Sequence, residues 1–311
     1  MNPRKLSIQD YPSSIAPVRG TLLFVHGAYV NSTCWEFFFV PFFQQRGYRC
    51  FTVDLSGHGA SEGRERIDEF GIDDYVDDLK LAIGVAGGTV TVVAHSMGCR
   101  VLERFLERSE VEAAIFMAPI PTTGTAGSAV QLIQRYPAFL KVIDDAVNRR
   151  VSRETGEVMT RVYFSPDVTP EETFKYLPMI GPESHRAVLE MAVPEVRWSV
   201  RRRQPPALVV GGTEDAVFPV SMLHFFASTW RAKMHRVEGA GHMLMLDPRW
   251  ESIAEQMLVW LAALTLALGG VIAATLLAVF FLAHAYLLSF VTLLPWTPSP
   301  AIRPFWLKMK A

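Results

Sequence analysis

The sequence predicts an α/β fold with a mostly parallel, twisted sheet and helices on both of its faces. Short apolar runs alternate with stretches of helical periodicity along the first 118 residues, and the alternation resumes after residue 204. The runs are apolar enough for strands that are buried on both faces. Strands that alternate with helices form parallel sheets, because each helix returns the chain to the same edge of the sheet.

Six strands and several helices follow from this pattern. The strands are predicted at residues 21–26, 48–53, 89–94, 113–117, 207–211 and 233–237. A helix is predicted between Asp73 and Gly87, because apolar residues recur there at helical spacing, an acidic pair begins the run and a glycine ends it. Further helices are expected after Ser96, at residues 220–230 and from about residue 249.

The alternation is interrupted once, which predicts the domain organisation. Residues 120–204 are punctuated by proline and have helical character without a convincing strand. We therefore expect an α/β core formed by residues 1–119 and 205–262, with a helical insertion at 120–204. Residues 263–311 differ in composition and are expected to form a hydrophobic segment with a basic tail.

Composition excludes several classes of function. The chain has 311 residues, with 30 Lys and Arg against 31 Asp and Glu, a balance that argues against a nucleic-acid partner. The three cysteines have no metal-like spacing, so neither a disulfide framework nor a zinc site is expected, and a reduced intracellular compartment is favoured. No motif for a metal or another cofactor is found, so none is expected.

The C-terminal sequence predicts membrane association. No Asp, Glu, Lys or Arg occurs from Met257 to Ile302, whereas about 20 apolar residues suffice to span a bilayer. A single span, a re-entrant segment and an interfacial helix all fit residues 264–294, and an extra buried helix pair is the alternative. An interfacial anchor to membrane lipid is suited by two tryptophans and two lysines, Trp296, Trp306, Lys308 and Lys310. Without an export signal, the globular part is expected on the cytoplasmic side.

A serine between a strand and a helix is the strongest local signal. Residues 92–98 join a buried strand to a helix through small residues around Ser96. In a nucleophile elbow such a turn lifts the serine hydroxyl above the sheet edge. Ala94 stands where glycine is commonest, but it is still small enough. The alternative is a serine that merely caps the helix.

A serine nucleophile needs a base and a carboxylate that orients the base. Asp215 follows a late strand and His242 lies in a glycine-rich loop after the next strand. The carboxyl ends of parallel strands meet at one edge of a sheet, so Ser96, Asp215 and His242 are expected to meet there. The backbone N–H groups of Ala28 and Met97 are expected to form an oxyanion hole.

Together these motifs make the chain resemble the α/β-hydrolase superfamily, of the serine-hydrolase type. The resemblance covers residues 20–262 and depends on four motifs in the order of that family, which are His26-Gly27, Asp54–Ser61, Ala94–Gly98 and the Asp215/His242 pair. It implies the α/β-hydrolase fold, a catalytic triad of Ser96, Asp215 and His242, and a substrate-covering cap at residues 120–204.

The activity expected from this resemblance is hydrolysis of a carboxylic ester, apolar or lipid-like, through an acyl-enzyme on Ser96. A serine at this position argues against the dehalogenases and epoxide hydrolases of this fold, which use a carboxylate nucleophile. Hydrolysis of a C–C bond and perhydrolysis remain alternatives, because the same triad serves them. A ligand-binding receptor that retains the triad is the alternative outside enzymes. The sequence leaves the oligomeric state open.

Other residues of these motifs are given structural interpretations. Loop-shaping or turn-bracing roles are expected for His26, His58, His95, Asp54 and Asp247. Glu214 is a weaker candidate than Asp215 for the triad acid. Cys99 is expected to be a small buried hydrophobe, and the basic run Arg201–Arg203 a solvated surface or a contact with lipid phosphates. Several large apolar residues of the insertion are expected to line an acyl pocket, namely Phe139, Leu140, Phe164, Phe174, Tyr176, Leu177, Met179, Met191 and Trp198.

Overall fold

The computed structural model describes residues 4–87, 89–150, 152–194 and 204–267. The chain forms two units, Met1–Trp260 and Leu261–Ala311. Most of the predicted membrane segment and the basic run Arg201–Arg203 lie outside the described residues. Within the described part of the chain, no helix is both long and apolar enough to cross a membrane. The predicted C-terminal membrane helix is therefore without support from the structure.

Seven strands form one sheet. In chain order they are β1 (Ile8–Tyr11), β2 (Gly20–Val25), β3 (Tyr48–Val53), β4 (Thr91–His95), β5 (Ala113–Met117), β6 (Ala207–Gly212) and β7 (Lys233–Val237). Their order across the sheet is β1-β3-β2-β4-β5-β6-β7. All neighbouring pairs are parallel except β1 with β3. The mostly parallel sheet predicted from the sequence is confirmed.

The six predicted strands are all present, with ends shifted by at most two residues, whereas β1 was not predicted. Strand β1 has the sequence Ile-Gln-Asp-Tyr, and its residues are half-buried or exposed. It pairs only with β3, at the edge of the sheet. A short polar edge strand has no apolar run, because only a strand inside the sheet must be buried on both faces.

Ten helices with the following bounds are described. They are α1 (Thr33–Glu36), α2 (Phe39–Gln45), α3 (Ile72–Ala86), α4 (Met97–Phe105), α5 (Ala126–Arg135), α6 (Phe139–Val147), α7 (Arg153–Tyr163), α8 (Pro170–Thr173), α9 (His185–Ala192) and α10 (Val220–Trp230). Two 3₁₀ helices occupy Arg64–Glu69 and Phe174–Met179. Residues 250–260 are helical in the first unit, and residues 261–267 in the second.

Helices cover both faces of the sheet, as predicted. On one face, Leu23 packs in a common core with Tyr75 and Leu79 of α3. The next residue of the same strand, Phe24, points the other way, because side chains alternate along a strand. Its ring lies 5.1 Å from Trp35 of α1 and 6.1 Å from Phe43 of α2.

Helices α5 to α9 form a helical layer, defined here as residues 126–192, between β5 and β6 in the chain. The described residues from 120 to 194 contain no strand, in agreement with the sequence. Three of these helices begin at a side chain that accepts a hydrogen bond from a backbone N–H three residues later. The caps are Ser152, Thr169 and Ser184.

Candidate active site

Ser96 occupies the sharp turn between β4 and α4. Its backbone has φ +50° and ψ −112°, a strained conformation for an L-residue. Such strain costs about 1–3 kcal/mol and persists only where the surroundings impose it. Its N–H donates to the carbonyl of Met117 at 3.0 Å, which ties the turn to β5. The turn therefore holds the serine at the carboxyl edge of the sheet.

The small residues around Ser96 allow the helix and the strands to approach closely. A Cβ on Gly98 would lie 2.7 Å from the carbonyl oxygen of His26 and 2.8 Å from that of Val25. Such contacts are too short for real Cβ atoms, so this position requires glycine. Ala94 is fully buried in β4, which shows that alanine fits there in place of the commoner glycine.

Asp215 lies in the loop after β6 with its carboxylate held by backbone and imidazole. Oδ1 accepts hydrogen bonds from the N–H groups of Val217 and Phe218 at 2.8 and 2.9 Å. Oδ2 lies 2.8 Å from Nδ1 of His242. One oxygen thus fixes the carboxylate, and the other is free to orient the imidazole.

His242 connects the carboxylate with the serine. Its Nε2 lies 3.2 Å from Oγ of Ser96, while its Nδ1 faces Asp215. The carboxylate can only accept, so Nδ1 carries the proton and Nε2 presents its lone pair to the serine hydroxyl. Ser96, Asp215 and His242 are 8%, 7% and 3% exposed, respectively. The structure brings together the three residues that the sequence singled out.

Two further contacts fix the loop that carries His242. Nε2 of His95 lies 3.1 Å from the backbone carbonyl oxygen of His242, so this nitrogen donates and His95 holds the base's main chain. Burial keeps the pKa of His95 well below its ordinary value, so the ring is neutral. Asp247 accepts from the N–H of Gly241 at 3.0 Å, which is the bracing role predicted for it.

The two residues predicted to form the oxyanion hole belong to the wall of the cavity beside Ser96. Ala28 and Met97 both line the cavity that contains Ser96 and His242. Met97 is the first residue of α4, and the first N–H groups of a helix have no acceptor within it. That of Met97 is therefore available to a substrate oxygen.

The competing acids take other roles. Glu214 is exposed, so it does not share the buried position of Asp215. Asp54 accepts from the N–H groups of Ser32 and Ala60 at 2.8 and 2.9 Å, as expected of a turn-bracing residue. Cys99 is fully buried and its thiol donates to backbone oxygens, which fits its interpretation as a small hydrophobe.

A cavity of about 260 Å³ opens beside Ser96 and His242. None of its described lining residues is Asp, Glu, Lys or Arg. Seven of the apolar residues predicted for an acyl pocket line it, namely Phe139, Leu140, Phe164, Tyr176, Leu177, Met179 and Met191. Phe174 does not line it and is 40% exposed. Its ring lies against Gly156 of α7. Trp198 lies outside the described residues.

Sequence reasoning missed Glu183, a carboxylate buried close to the site. It receives hydrogen bonds from His58, Tyr75 and the backbone N–H of Tyr29. These partners are more than 100 residues away along the chain, so no local spacing indicates them. Only the glycine and proline before it, with Ser184 as a helix cap, were visible in the sequence.

Comparisons with known proteins agree with the fold described above. Residues 22–255 match the alpha/beta hydrolase family. Epoxide hydrolase 1 of Caenorhabditis elegans is 29% identical over 253 residues, which cover 73% of this chain and 61% of that protein. The chain thus spans less than two thirds of the length of this curated relative.

Solved structures share the fold at low identity. An esterase from Exiguobacterium antarcticum is 17% identical with a TM-score of 0.66, over 83% of this chain and 96% of that one. A thermophilic esterase from Thermogutta terrifontis is 21% identical with a TM-score of 0.65, over 84% and 94%. A bromoperoxidase from Bacillus anthracis is 17% identical with a TM-score of 0.64, over 84% and 96%. With a family match that covers well over half of the sequence and a fold that agrees with it, this chain belongs to the alpha/beta hydrolase family.

Proposed function

We propose that this protein is a serine hydrolase that cleaves a neutral, apolar carboxylic ester through an acyl-enzyme on Ser96. The observation that carries the proposal is the hydrogen-bonded series Asp215–His242–Ser96, at 2.8 and 3.2 Å, which opens on a cavity without charged lining residues among those described. A positioned base beside a hydroxyl is what activates a serine for acyl transfer.

The proposed reaction has two steps. His242 Nε2 takes the proton of Ser96 as its Oγ attacks the ester carbonyl carbon, and the π electrons move onto the carbonyl oxygen. The N–H groups of Ala28 and Met97 stabilise this oxyanion. The C–O bond to the alcohol then breaks, and the alcohol leaves with the proton from His242. Water, deprotonated by His242, attacks the acyl carbon, the acid leaves and Ser96 regains its proton. Asp215 stabilises the imidazolium in both steps.

Epoxide hydrolysis, the activity named for the curated relative, fits Ser96 poorly. Attack of a serine oxygen on an epoxide carbon would leave an alkyl ether on the enzyme. An ether has no carbonyl carbon for water to attack, so the intermediate would not turn over. A carboxylate nucleophile avoids this problem because it forms an ester. We therefore place ester hydrolysis before epoxide hydrolysis.

Three other functions use the same residues, namely C–C bond hydrolysis, perhydrolysis and ligand binding without turnover. The cavity wall argues against the first, and the other two differ from ester hydrolysis in what happens after binding or acylation. Hydrolysis of a C–C bond in a charged substrate would favour a cation in the pocket, and the described lining residues offer none. Perhydrolysis uses the same acyl-enzyme with peroxide in place of water, so it differs only in the second step. A receptor would bind an ester without cleaving it.

Two measurements test the proposal. A fluorophosphonate should label the wild-type protein at Ser96 and leave Ser96→Ala unlabelled. A panel of aryl esters from acetate to dodecanoate should show turnover, with medium or long chains preferred over acetate and over an ester that carries a free carboxylate. Failure of both labelling and turnover would refute the proposal. Faster product formation with peroxide than with water would favour perhydrolysis.

We further propose that residues 264–294 attach the protein to a membrane, which would present lipid-like esters to the site. The support is the sequence alone, which has no charged residue from Met257 to Ile302. The 311-residue chain should sediment with membranes and require detergent, whereas a chain that ends near Ala263 should stay in the supernatant and remain active. A 311-residue chain that stays in the supernatant without detergent would refute this attachment.

A further inference from the structure

Glu183 is a fully buried carboxylate that the proposed reaction does not use. It lies between the 3₁₀ helix Phe174–Met179 and α9, within the helical layer. Oε1 accepts from the hydroxyl of Tyr75 at 3.1 Å and from the N–H of Ser184 at 2.8 Å. Oε2 lies 3.0 Å from Nε2 of His58 and accepts from the N–H of Tyr29 at 3.3 Å. All four acceptor positions of the carboxylate are therefore filled.

The partner His58 carries a positive charge. Its Nδ1 faces the carbonyl oxygen of Ser56 at 3.2 Å and its Nε2 faces Glu183. Both neighbours are acceptors, so both ring nitrogens must hold a proton. Burial by itself would lower the pKa of His58, but the Glu183 carboxylate raises it above its ordinary value. Burial would likewise raise the pKa of Glu183, and His58 lowers it. The two form a buried ion pair.

This pair contacts the loop at residues 26–30, which includes Ala28 and is predicted to bind the oxyanion. Tyr29 follows Ala28 and has φ +61°, in the left-handed region that L-residues rarely adopt. Its N–H is held by Glu183, and its carbonyl oxygen accepts from the N–H of Gly181 at 2.9 Å. One short segment of the helical layer thus holds the peptide groups on both sides of Tyr29.

The start of the same loop is held by residues that follow β2 and β3. Nδ1 of His26 donates to the carbonyl of Gly27 at 2.8 Å, and Nε2 of His26 accepts from the N–H of Leu55 at 3.1 Å. Burial and the nearby His58 cation lower the pKa of His26 to about 4, so this ring is neutral. The loop is therefore held at its start by the neutral His26, which directly follows β2, and at Tyr29 by the carboxylate of the helical layer.

We propose that Glu183 is a positioning residue for the reaction. By holding Tyr29 in its left-handed conformation, it keeps the N–H of Ala28 aimed at the oxygen of the substrate carbonyl. The inference builds on the proposed function, since it assigns Ala28 to the oxyanion hole. On this proposal, the contact between the helical layer and the loop at Ala28 and Tyr29 affects the rate of the reaction, in addition to the role of the layer in substrate selection.

The test compares two substitutions of a buried carboxylate by its amide. Glu183→Gln keeps one acceptor oxygen, turns the other into an NH2 donor and removes the negative charge that pairs with His58. The side chain then cannot accept on both of its sides, which weakens its hold on Tyr29, the partner with the longest of the four hydrogen bonds at 3.3 Å. Asp78→Asn is the matched control, because Asp78 is equally buried and accepts from Ser56 but does not contact Tyr29. Loss of one oxyanion donor costs about 10²–10³ in kcat. We expect Glu183→Gln to lower kcat by roughly 10- to 100-fold with little change in KM, and Asp78→Asn to change neither by more than a few fold.

Hydrogen–deuterium exchange supplies a readout that does not depend on turnover. Peptides covering residues 26–30 should exchange faster in Glu183→Gln than in the wild type or in Asp78→Asn. Unchanged exchange would overturn the proposal, as would faster exchange with an unchanged kcat. A wild-type protein without esterase activity would refute the proposed function, while the exchange result would still decide whether Glu183 holds the loop.

Glu183→Gln leaves His58 buried without its partner, which can prevent folding. In that case the double variant His58→Leu with Glu183→Leu removes both charges and the acceptor of Tyr29 together. It should show the same fall in kcat and the same faster exchange at residues 26–30. A double variant with wild-type kcat would overturn the positioning role.

Discussion

The sheet and the helical layer contribute differently to the same site. Strands β4, β5 and β6 are buried along their whole length, and Ser96, Asp215 and His242 all lie in turns or loops that follow strands. By contrast, α5 and α6 bury only two residues each, yet they supply much of the cavity wall. The candidate catalytic residues thus follow the most buried strands, and much of the cavity wall comes from less buried helices.

This difference indicates separate roles, with the sheet positioning the candidate catalytic residues and the helical layer selecting the substrate. Acyl transfer requires a few atoms held in place to within fractions of an ångström, which a buried sheet provides. Substrate selection requires a surface whose shape changes with single side chains, which half-exposed helices provide. Glu183 is an exception to this difference in roles, because it belongs to the helical layer and contacts the loop beside the oxyanion position. Substitutions in the two parts of the molecule test how far this difference in roles holds.

The largest effect is expected at the nucleophile. Ser96→Ala should lower kcat by about 10⁶-fold, because no other group can form the acyl-enzyme. The fold should persist, since backbone contacts fix the turn. Steady-state kinetics on an aryl ester would measure the loss, with Ser165→Ala as the control, a buried serine of the helical layer. More than a few per cent of residual activity in Ser96→Ala would contradict the mechanism.

Substitution of two buried carboxylates close to His242, Asp215 and Asp247, should lower kcat by very different factors. Asp215→Asn should lower kcat by about 10⁴-fold, because an amide does not hold the imidazole in the tautomer that accepts the proton of Ser96. Asp247→Asn should lower kcat far less, since Asp247 accepts only from backbone N–H groups and from Arg249. Comparison of kcat for the two variants at equal folded fraction measures this. Equal losses would mean that Asp215 serves only to brace a loop.

A change in the cavity wall should alter selectivity without altering the chemistry. Ile143 of α6 lines the cavity, and Ile143→Phe would shorten the space for an acyl chain. We expect kcat/KM for a long-chain ester to fall about 10-fold or more, as a pocket change of one or two carbons does, with acetate hydrolysis nearly unchanged. Leu81→Phe on the exposed face of α3 is the control. A parallel loss on both esters would indicate damage to the reacting groups instead.

The smallest effect is the pH dependence of stability from the His58–Glu183 pair. Folding lowers the pKa of Glu183 from 4.5, so its contribution is present above that pH and is lost as the pH falls. Folding raises the pKa of His58 from 6.5, so its contribution is present below that pH and is lost as the pH rises. The pair should therefore contribute most to stability between pH 4.5 and 6.5.

Urea unfolding of the wild type and of the double variant His58→Leu with Glu183→Leu would measure this contribution. The difference in unfolding free energy should favour the wild type most inside that window and shrink on either side, by up to about 1.4 kcal/mol per pH unit for each group. His26, Asp54 and Tyr75 lie near the pair and remain in both proteins. Because the His58 cation lowers the pKa of His26, its removal should raise that pKa, and His26 then contributes to the difference on the acidic side of the window. A difference that does not vary with pH would show that the pair is uncharged.

Much of the site could be predicted because it depends on chain order. The apolar runs predicted six strands, and the residues that follow β4, β6 and β7 include Ser96, Asp215 and His242. Parallel strands direct their carboxyl ends to one edge, so three residues that are distant in sequence were expected to meet there. The small residues around Ser96 were predictable for a similarly local reason, the close approach of a helix to a strand.

Other features left no such pattern. Strand β1 is short and polar, and only its pairing with β3 makes it a strand. Phe174 and Phe164 belong to the same apolar set in the sequence, yet only Phe164 faces the cavity, because helix orientation decides which side of the layer is inside. Periodicity in the helical layer predicted helices but not which neighbours they would face.

The sequence by itself determined six of the seven strands, the helical insertion and the three residues that meet at the sheet edge, because these follow from local patterns repeated along the chain. The tertiary structure decided the uncharged wall of the cavity and the buried contact between Glu183 and His58, which are 125 residues apart. A carboxylate shows no sign in the sequence of whether it will lie in water or in the interior. Its burial, its charge and its hold on Tyr29 arise only when separate segments pack around it, because each of those segments supplies one of the donors that a buried carboxylate requires.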